Sequence, residues 1–471
     1  MTSTEPLIQL RGFTAVDPRS GRMLLDDINL TVHPGEQVLL LGASGAGKSS
    51  LLDAIRGVIP HSVPLETSGE CLVDGAPVLY NTVAELSAVV GNVPQDPHAS
   101  ITLPLVEDEI ALTLENHGVE PDKIGQRINE LLASVEAGHL LRQRTQTLSG
   151  GWVQRVATVA ALAANPRVVL ADEPTSMLDG AGVASVMQVL SELAGTSGAL
   201  ILVEHRLDEL ADGPGLPERT VVIEQGKIQA DGPTMQVLAE HAEQLEANGV
   251  WTPGVQLPDF RPSTVAEAEP LLSARGLTVR PAPTAEEVVT DIELDIRPGE
   301  RIAVMGANGT GTTTLLLALS GLIDIEGDVI GRQPVMVFQN PEHQFLTHSV
   351  QDELRFGLVP NDDTEAHVQG LSKEFGLDHL AQLNPFRLSG GEKRRLSVAA
   401  GLLAAKHGSE TTVLLADEPT FGLDRAATTT MLHAFANYAD TGGAVVIITH
   451  DQRLADAWAT RVLTVAEGAL V

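Results

Sequence analysis

Apolar and polar positions fall into blocks along this chain, and the blocks come round twice. The apolar run Val38 to Leu41 follows a Pro34-Gly35-Glu36 turn and leads into a glycine-rich loop and a predicted helix, Ser50 to Ile55. That order predicts a buried strand, a tight loop and a helix. The run Ile302 to Met305 follows Pro298-Gly299-Glu300 and leads into a second glycine-rich loop. Val168 to Ala171, Ile201 to Val203, Leu414 to Ala416 and Val445 to Ile448 predict further buried strands. Short apolar strands alternating with amphipathic helices imply an α/β fold, with a mostly parallel sheet covered by helices in each half.

The repeat has a nearly constant period. Gln95 and Gln339 lie 244 positions apart, Ser149 and Ser389 lie 240 apart, and both Asp172–Asp417 and His205–His450 lie 245 apart. Between loop and glutamine the halves differ: Lys48 to Gln95 is 47 positions, Thr312 to Gln339 only 27. The second half has therefore shed about 20 residues there, an expected trimming of a β-subdomain away from the parallel core. Pro253, Pro258, Pro262 and Pro270 break any helical period. The expected organisation is a first domain over 1–246, a linker over 247–270 and a second domain over 271–471.

Composition narrows the function classes. A formal charge of -32 opposes broad contact with phosphate backbones or anionic lipid, so no nucleic-acid partner is expected. The one cysteine, Cys71, cannot form an internal disulfide, which suits a reducing cytoplasm. No apolar run approaches the ~18 residues of a membrane helix. The longest, Val156 to Ala164, is half that length. The first residues, with Glu5 and no apolar core, do not read as a signal peptide. A membrane role would thus come through a partner.

The first glycine-rich loop, Gly42-Ala43-Ser44-Gly45-Ala46-Gly47-Lys48-Ser49, matches the phosphate loop G-x-x-x-x-G-K-[ST] in full, with Ser50 next in the helix. Glycines let backbone N–H groups curl around phosphate oxygens at a helix N-terminus. Lys48 would reach the outer phosphates and Ser49 would offer a hydroxyl to Mg2+. Asp172 and Glu173 end an apolar strand, as do Asp417 and Glu418. The aspartates would hold the Mg2+ shell, and the glutamates would polarise an attacking water. Leu148-Ser149-Gly150-Gly151 and Leu388-Ser389-Gly390-Gly391-Glu392 each open a predicted helix, where serine and glycine suit an anion. Taken alone each is an ordinary helix cap; its place before an Asp-Glu block changes the reading.

Together these motifs resemble the ATP-binding-cassette (ABC) family, twice over and across nearly the whole chain. The resemblance implies two P-loop NTPase domains in tandem, each with an antiparallel β-subdomain and a helical subdomain. It further implies that the cassettes pair intramolecularly, each ATP lying between one phosphate loop and the other cassette's LSGG segment. Gln95 and Gln339 resemble the family's Q-loop glutamines, which sense Mg2+ and the partner. Ser176 to Asp179 and Phe421 to Asp424 resemble its D-loops. His205 and His450 resemble its switch histidines, which contact the terminal phosphate.

The second phosphate loop departs from the pattern. It reads Gly306-Ala307-Asn308-Gly309-Thr310-Gly311-Thr312-Thr313, followed by Thr314, so threonine replaces lysine at 312. Losing one charge-assisted contact costs about 1.5–3 kcal/mol, a roughly 10- to 100-fold loss of affinity. The first LSGG continues into Trp152 where the second has Glu392. Cross-cassette pairing would put Thr312 and Trp152 in one site, leaving Lys48 with Leu388 to Glu392 in the other. The expectation is one competent site, using Lys48 and Glu173, and one degenerate site. The family stacks adenine on an aromatic early in each cassette. Leu10 to Val16 and Leu277 to Pro281 offer only Phe13, slightly off register.

Gln339-Asn340-Pro341-Glu342-His343-Gln344-Phe345, continuing into Val350 to Gly357, resembles the ATPase of energy-coupling-factor importers, which take up vitamins, their precursors or metal ions. That resemblance implies integral membrane subunits docking near 95–112 and 339–356, at the cytoplasmic face of the membrane. The ATPase of a sugar importer and a soluble tandem-cassette translation factor remain the alternatives.

Overall fold

The computed structural model describes residues 5–178, 180–195, 197–205, 207–261, 268–279, 288–307, 309–407, 410–466 and 468–470. The chain divides into two compact units, Met1–Val255 and Gln256–Val471. The division falls inside the Pro-bearing segment 247–270, of which 262–267 lie outside the described residues. Much of that segment is built into the units. Val250 is buried in the first core and Phe260 in the second. The Phe260 N–H donates to the Ala457 carbonyl at 2.8 Å, and its ring meets His433 edge-on.

The first unit is organised by a six-stranded sheet. Its order is Lys227–Pro233, Arg219–Glu224, Gln37–Leu41, Ala199–Val203, Val168–Asp172, Val90–Val93, with only the first pair antiparallel. Ala199–Val203 is buried at every residue, because helices cover both faces of a parallel sheet. A second, antiparallel sheet joins Met23–Val32, Ile8–Val16, Glu66–Val73 and Ala76–Pro77. Val106–Asn116, Pro121–Ser134 and Gly150–Leu162 form the helical part.

The second unit repeats the plan. Its sheet runs Val335–Val337, Val413–Asp417, Ala444–Ile448, Arg301–Met305, Arg461–Ala466, Ala469–Leu470. Its antiparallel sheet has three strands, Val289–Ile296, Leu272–Val279 and Ile325–Gly331. The missing residues account for the difference. The first unit places the helix Val58–His61 before its third antiparallel strand, and a fourth strand and the helix Val83–Leu86 after it. The second goes from Ile325–Gly331 straight to Val335–Val337. The parallel core, which carries the loops of interest, is unaffected by the loss.

Candidate functional site

In the first unit the loop 42–47 joins the strand Gln37–Leu41 to the helix Lys48–Ile55. Gly45 and Gly47 take φ of 75° and 113°, a backbone that side chains resist, and a Cβ at Gly47 would lie 3.0 Å from the Leu24 carbonyl. Ser44 and Gly45 sit exposed at the tip, while Ala46 is buried beneath it. Lys48 is buried and curls back, donating to the Gly42 carbonyl at 2.6 Å and the Ala43 carbonyl at 2.9 Å. Those carbonyls hold the ammonium over the loop. The Ser49 hydroxyl donates to Asp172 Oδ2 at 3.1 Å, joining loop to strand end.

Beside that pair lies a second one. Glu173 is buried with φ of 51°, in the left-handed region that costs a side-chain-bearing residue about 1–2 kcal/mol. Its Oε1 lies 3.2 Å from His205 Nε2, and the Gln95 side chain also hydrogen-bonds it. Burial alone would raise Glu173, but the His205 and Lys48 charges and the Gln95 bond outweigh it and hold the carboxyl below its usual range. Burial likewise opposes a charge on His205, and Glu173 overcomes it, so the imidazole sits above its ordinary value. Burial, then the Glu173 charge, push Asp172 up to about 6, against the Ser49 hydrogen bond and Lys48. The fold thus brings Lys48, Ser49, Asp172, Glu173, His205 and Gln95 into one electrostatic neighbourhood at the strand ends.

The second unit has the same skeleton with fewer charges. Its loop leads from Arg301–Met305 into Thr312–Leu319, with Gly309 and Gly311 at φ of 86° and 95°. Asn308 lies outside the described residues. The Thr310 hydroxyl donates to the Ala307 carbonyl at 2.9 Å, and Thr312 and Thr314 occupy the first helical turn. Thr313 donates to Asp417 Oδ2 at 2.8 Å. Burial pushes Asp417 up to about 6, against Thr313 and Arg394. Glu418 takes φ of 47°, with His450 Nε2 at 3.3 Å from its Oε1. The backbone of Gln339 accepts from the buried Arg394 guanidinium.

The LSGG segments differ in their caps. Ser389 caps Gly390–Ala405 by accepting from the Glu392 N–H, and the Glu392 carboxylate accepts from the Ser389 N–H at 2.8 Å. Ser149 caps Gly150–Leu162, which Gly150 and Gly151 open, without a side-chain hydrogen bond. Trp152 cannot return the bond that Glu392 makes. It packs edge-on to His139 and lies under the Arg155 guanidinium, 4.6 Å away. Ser176 donates to the Glu173 carbonyl at 2.9 Å; Asp179 lies outside the described residues. Asp424 caps Arg425–Asp440. Phe13 is buried in the first unit's core, so it offers no face to an adenine. Leu277 is buried as well, and 280–281 lie outside the described residues.

Four residues were given no role of their own by the sequence reading. Glu109 and Glu353 are buried and accept from the backbone N–H groups of Thr102 and Leu103, and of Leu346 and Thr347. They fasten the segments that follow Gln95 and Gln339. The 244-residue offset between them was a usable signal. Glu204, buried beside His205, and Arg394 had none, because only packing shows where they point.

The ABC transporter family model matches residues 25–176 and 289–421. The chain is 36% identical over 490 residues to "Putative HMP/thiamine import ATP-binding protein YkoD" of Bacillus subtilis, covering 95% of this chain and 87% of that protein. It is 31% identical over 467 residues to a protein of Treponema denticola named "Putative ABC transporter ATP-binding protein", covering 95% and 93%. Among solved structures, a chain of "Model of ribosome-bound archaeal Pelota and ABCE1" superposes with TM-score 0.70 at 21% identity, over 97% of this chain and 77% of that one. At that identity the likeness speaks to fold alone, two P-loop domains in tandem.

Proposed function

This chain belongs to the ABC transporter family as an ABC transporter ATPase with two cassettes, and from that premise we propose that it energises a membrane importer of the energy-coupling-factor type. ATP binding is implied by the cassettes themselves. The observation that carries the catalytic reading is the meeting of Glu173, His205 and Gln95 beside Lys48, Ser49 and Asp172. In this reading Lys48 holds the outer phosphates. Glu173, kept ionised by His205, accepts a proton from the attacking water. His205 meets the terminal phosphate.

Oxygen donors suit Mg2+, and the Ser49 and Asp172 oxygens already lie 3.1 Å apart. Ser49, Asp172 and Gln95 would hold the ion in the first cassette, and Thr313, Asp417 and Gln339 in the second. Bound with ATP, Mg2+ would neutralise charge on the phosphates. Ser389, Gly390, Gly391 and Glu392 would cap the nucleotide held by Lys48, and Ser149, Gly150 and Gly151 the one held by 306–314. The degenerate second site would bind nucleotide with little turnover. Cys71 is buried, its thiol pushed up to about 12, so engineered cysteines report cleanly on this pairing. Ser44→Cys and Gly390→Cys should cross-link in an ATP-trapped Glu173→Gln chain; their failure to do so overturns the pairing.

No helix among the described residues is long and apolar enough to cross a membrane. The chain would therefore sit on the cytoplasmic face against integral membrane subunits, through 95–112 and 339–356. Around the second segment Leu346, Phe356, Leu383 and Phe386 are exposed, an apolar surface suited to a partner helix. The name of the Bacillus relative favours a thiamine precursor as cargo. The deciding experiment is co-purification followed by reconstitution in vesicles. Integral membrane proteins that import a radiolabelled thiamine precursor on ATP addition support the reading. Ribosomal RNA in their place overturns it.

A further inference from the structure

The two cassettes can be compared residue by residue where each LSGG helix meets the segment after Gln95 or Gln339. Repeated contacts fix the alignment. Arg155 donates to the Val135 carbonyl and Arg395 to the Phe375 carbonyl, an offset of 240 along the helices. The Val106 N–H donates to the Gln143 carbonyl and the Val350 N–H to the Leu383 carbonyl, an offset of 244 along the segments.

In the second cassette three side chains bind segment to helix. Lys393 pairs with Glu342, the Arg394 guanidinium donates to the Gln339 carbonyl, and the Gln344 amide donates to the Ser397 carbonyl at 2.9 Å. Arg394 and Ser397 are buried. The first cassette has lost all three links. Val153 and His98 stand at the ion-pair positions, Gln154 stands for Arg394, and Ser100 stands for Gln344. Gln154 is fully buried with neither amide atom hydrogen-bonded, and the Ser100 hydroxyl turns to the Pro97 carbonyl at 2.8 Å. Among the described residues no hydrogen bond or ion pair joins 95–102 to Gly150–Leu162. The far ends of both segments are nevertheless clipped alike, by Glu109 and Glu353. Surface character is unequal in the same sense. Leu346, Leu383 and Phe386 are exposed in the second cassette, where the first has Thr102, Gln143 and Gln146.

We propose that Lys393, Arg394 and Gln344 are positioning residues that make the 338–344 segment and the helix headed by Ser389 move as one body, so that a membrane subunit docked on the second cassette sets the position of Ser389. Coupling between two places needs contacts that run unbroken from one to the other, and the second cassette has them. In the first cassette a partner on 95–112 has no such hold on Ser149. The consequence for hydrolysis rests on the readings above, that partners dock at 339–356 and that Ser389 caps the nucleotide held by Lys48. The link between segment and helix does not rest on them.

The test loosens each segment from its far end in the full chain and reads amide hydrogen exchange. Glu353→Gln should speed exchange in 338–347, and by about fivefold in 389–395 as well. Glu109→Gln should speed it in 99–103 and leave 149–155 unchanged. Cutting the link with Lys393→Val and Arg394→Gln, the first cassette's own residues, should abolish the response of 389–395 to Glu353→Gln. The charge swap of Glu342→Lys with Lys393→Glu should keep a response that Glu342→Lys alone weakens. General loosening of the unit would speed 389–395 by the same factor with the link cut. That result, equal spread in both cassettes, or no spread in the second, overturns the proposal. A second arm measures turnover with and without the membrane proteins that co-purify with the chain. The Lys393→Val, Arg394→Gln chain should bring the ratio of the two rates close to one, whereas a merely structural defect would lower both rates and keep their ratio. A parent chain that no membrane protein stimulates would sink the docking reading instead, and the exchange rates alone would then decide the link.

Discussion

The first cassette carries a buried lysine on its glycine-rich loop; the second has threonine at that position. In the first, Lys48 bonds Gly42 and Ala43, and Glu173, His205 and Gln95 form a closed cluster. In the second, the Glu418–His450 pair survives, but His450 is 26% exposed against 13% for His205. The LSGG helices show the reverse order of quality: the second has the reciprocal serine–glutamate cap and the first has lost it. Each cassette has thus kept one of these two motifs in good order. The difference teaches that chemistry and structure relax separately. Deleting the lysine leaves the Thr313–Asp417 contact and the sheet in place.

The sharpest way to break this comparison is to remove each glutamate in turn. Glu173→Gln should slow ATP turnover by about 100-fold or more, the usual worth of a positioned base, while Glu418→Gln costs less than about tenfold. Steady-state phosphate release decides it, and equal losses would erase the distinction between cassettes. Next in size is the burial of the two aspartates, where the cassettes should agree. Asp172 and Asp417 both lie near 6, above the ordinary 3.8, so the folded chain holds their protons more tightly than the unfolded chain. Their contribution to stability is therefore full below about pH 4, falls as pH rises toward 6 and stays reduced above it. Asp172→Asn and Asp417→Asn should each stabilise the nucleotide-free chain by ~3 kcal/mol above pH 6 and by nothing near pH 4. Urea unfolding across that range checks the sign.

Thr312→Lys sharpens the comparison from the other side. It should tighten nucleotide at the second loop by about 10- to 100-fold, readable by equilibrium binding. A large rise in turnover as well would mean that the missing lysine is all that separates the cassettes. The smallest effect concerns the caps. Ser389→Ala should cost about 1 kcal/mol of unfolding free energy, and Ser149→Ala clearly less, since only Ser389 makes a side-chain cap bond.

Much of this was legible in the residues because local rules were strong. Glycines before a lysine and a serine dictate a loop, and an apolar run ending in two carboxylates dictates a strand end. The nearly constant repeat made the glycine-rich loop and the strand ending in carboxylates readable twice. Two details were not legible. The Pro-rich stretch reads as the interdomain linker, and hydrophobic burial draws Val250 and Phe260 into the two cores. Phe13 lies near the position for an adenine stack, but strand alternation turns it inward.

By itself the sequence determined the duplication, the parallel α/β class, the two phosphate loops and the loss of the lysine. These follow from spacing and from side-chain chemistry within a few neighbouring residues. Only the tertiary structure decided that the Arg394 guanidinium meets the Gln339 carbonyl, that Glu109 and Glu353 fasten the segments after the glutamines, and that Trp152 leaves Ser149 without its reciprocal bond. The physical reason is distance: charge balance and buried hydrogen bonds depend on which groups share a low-dielectric space, and the chain's linear order does not state that.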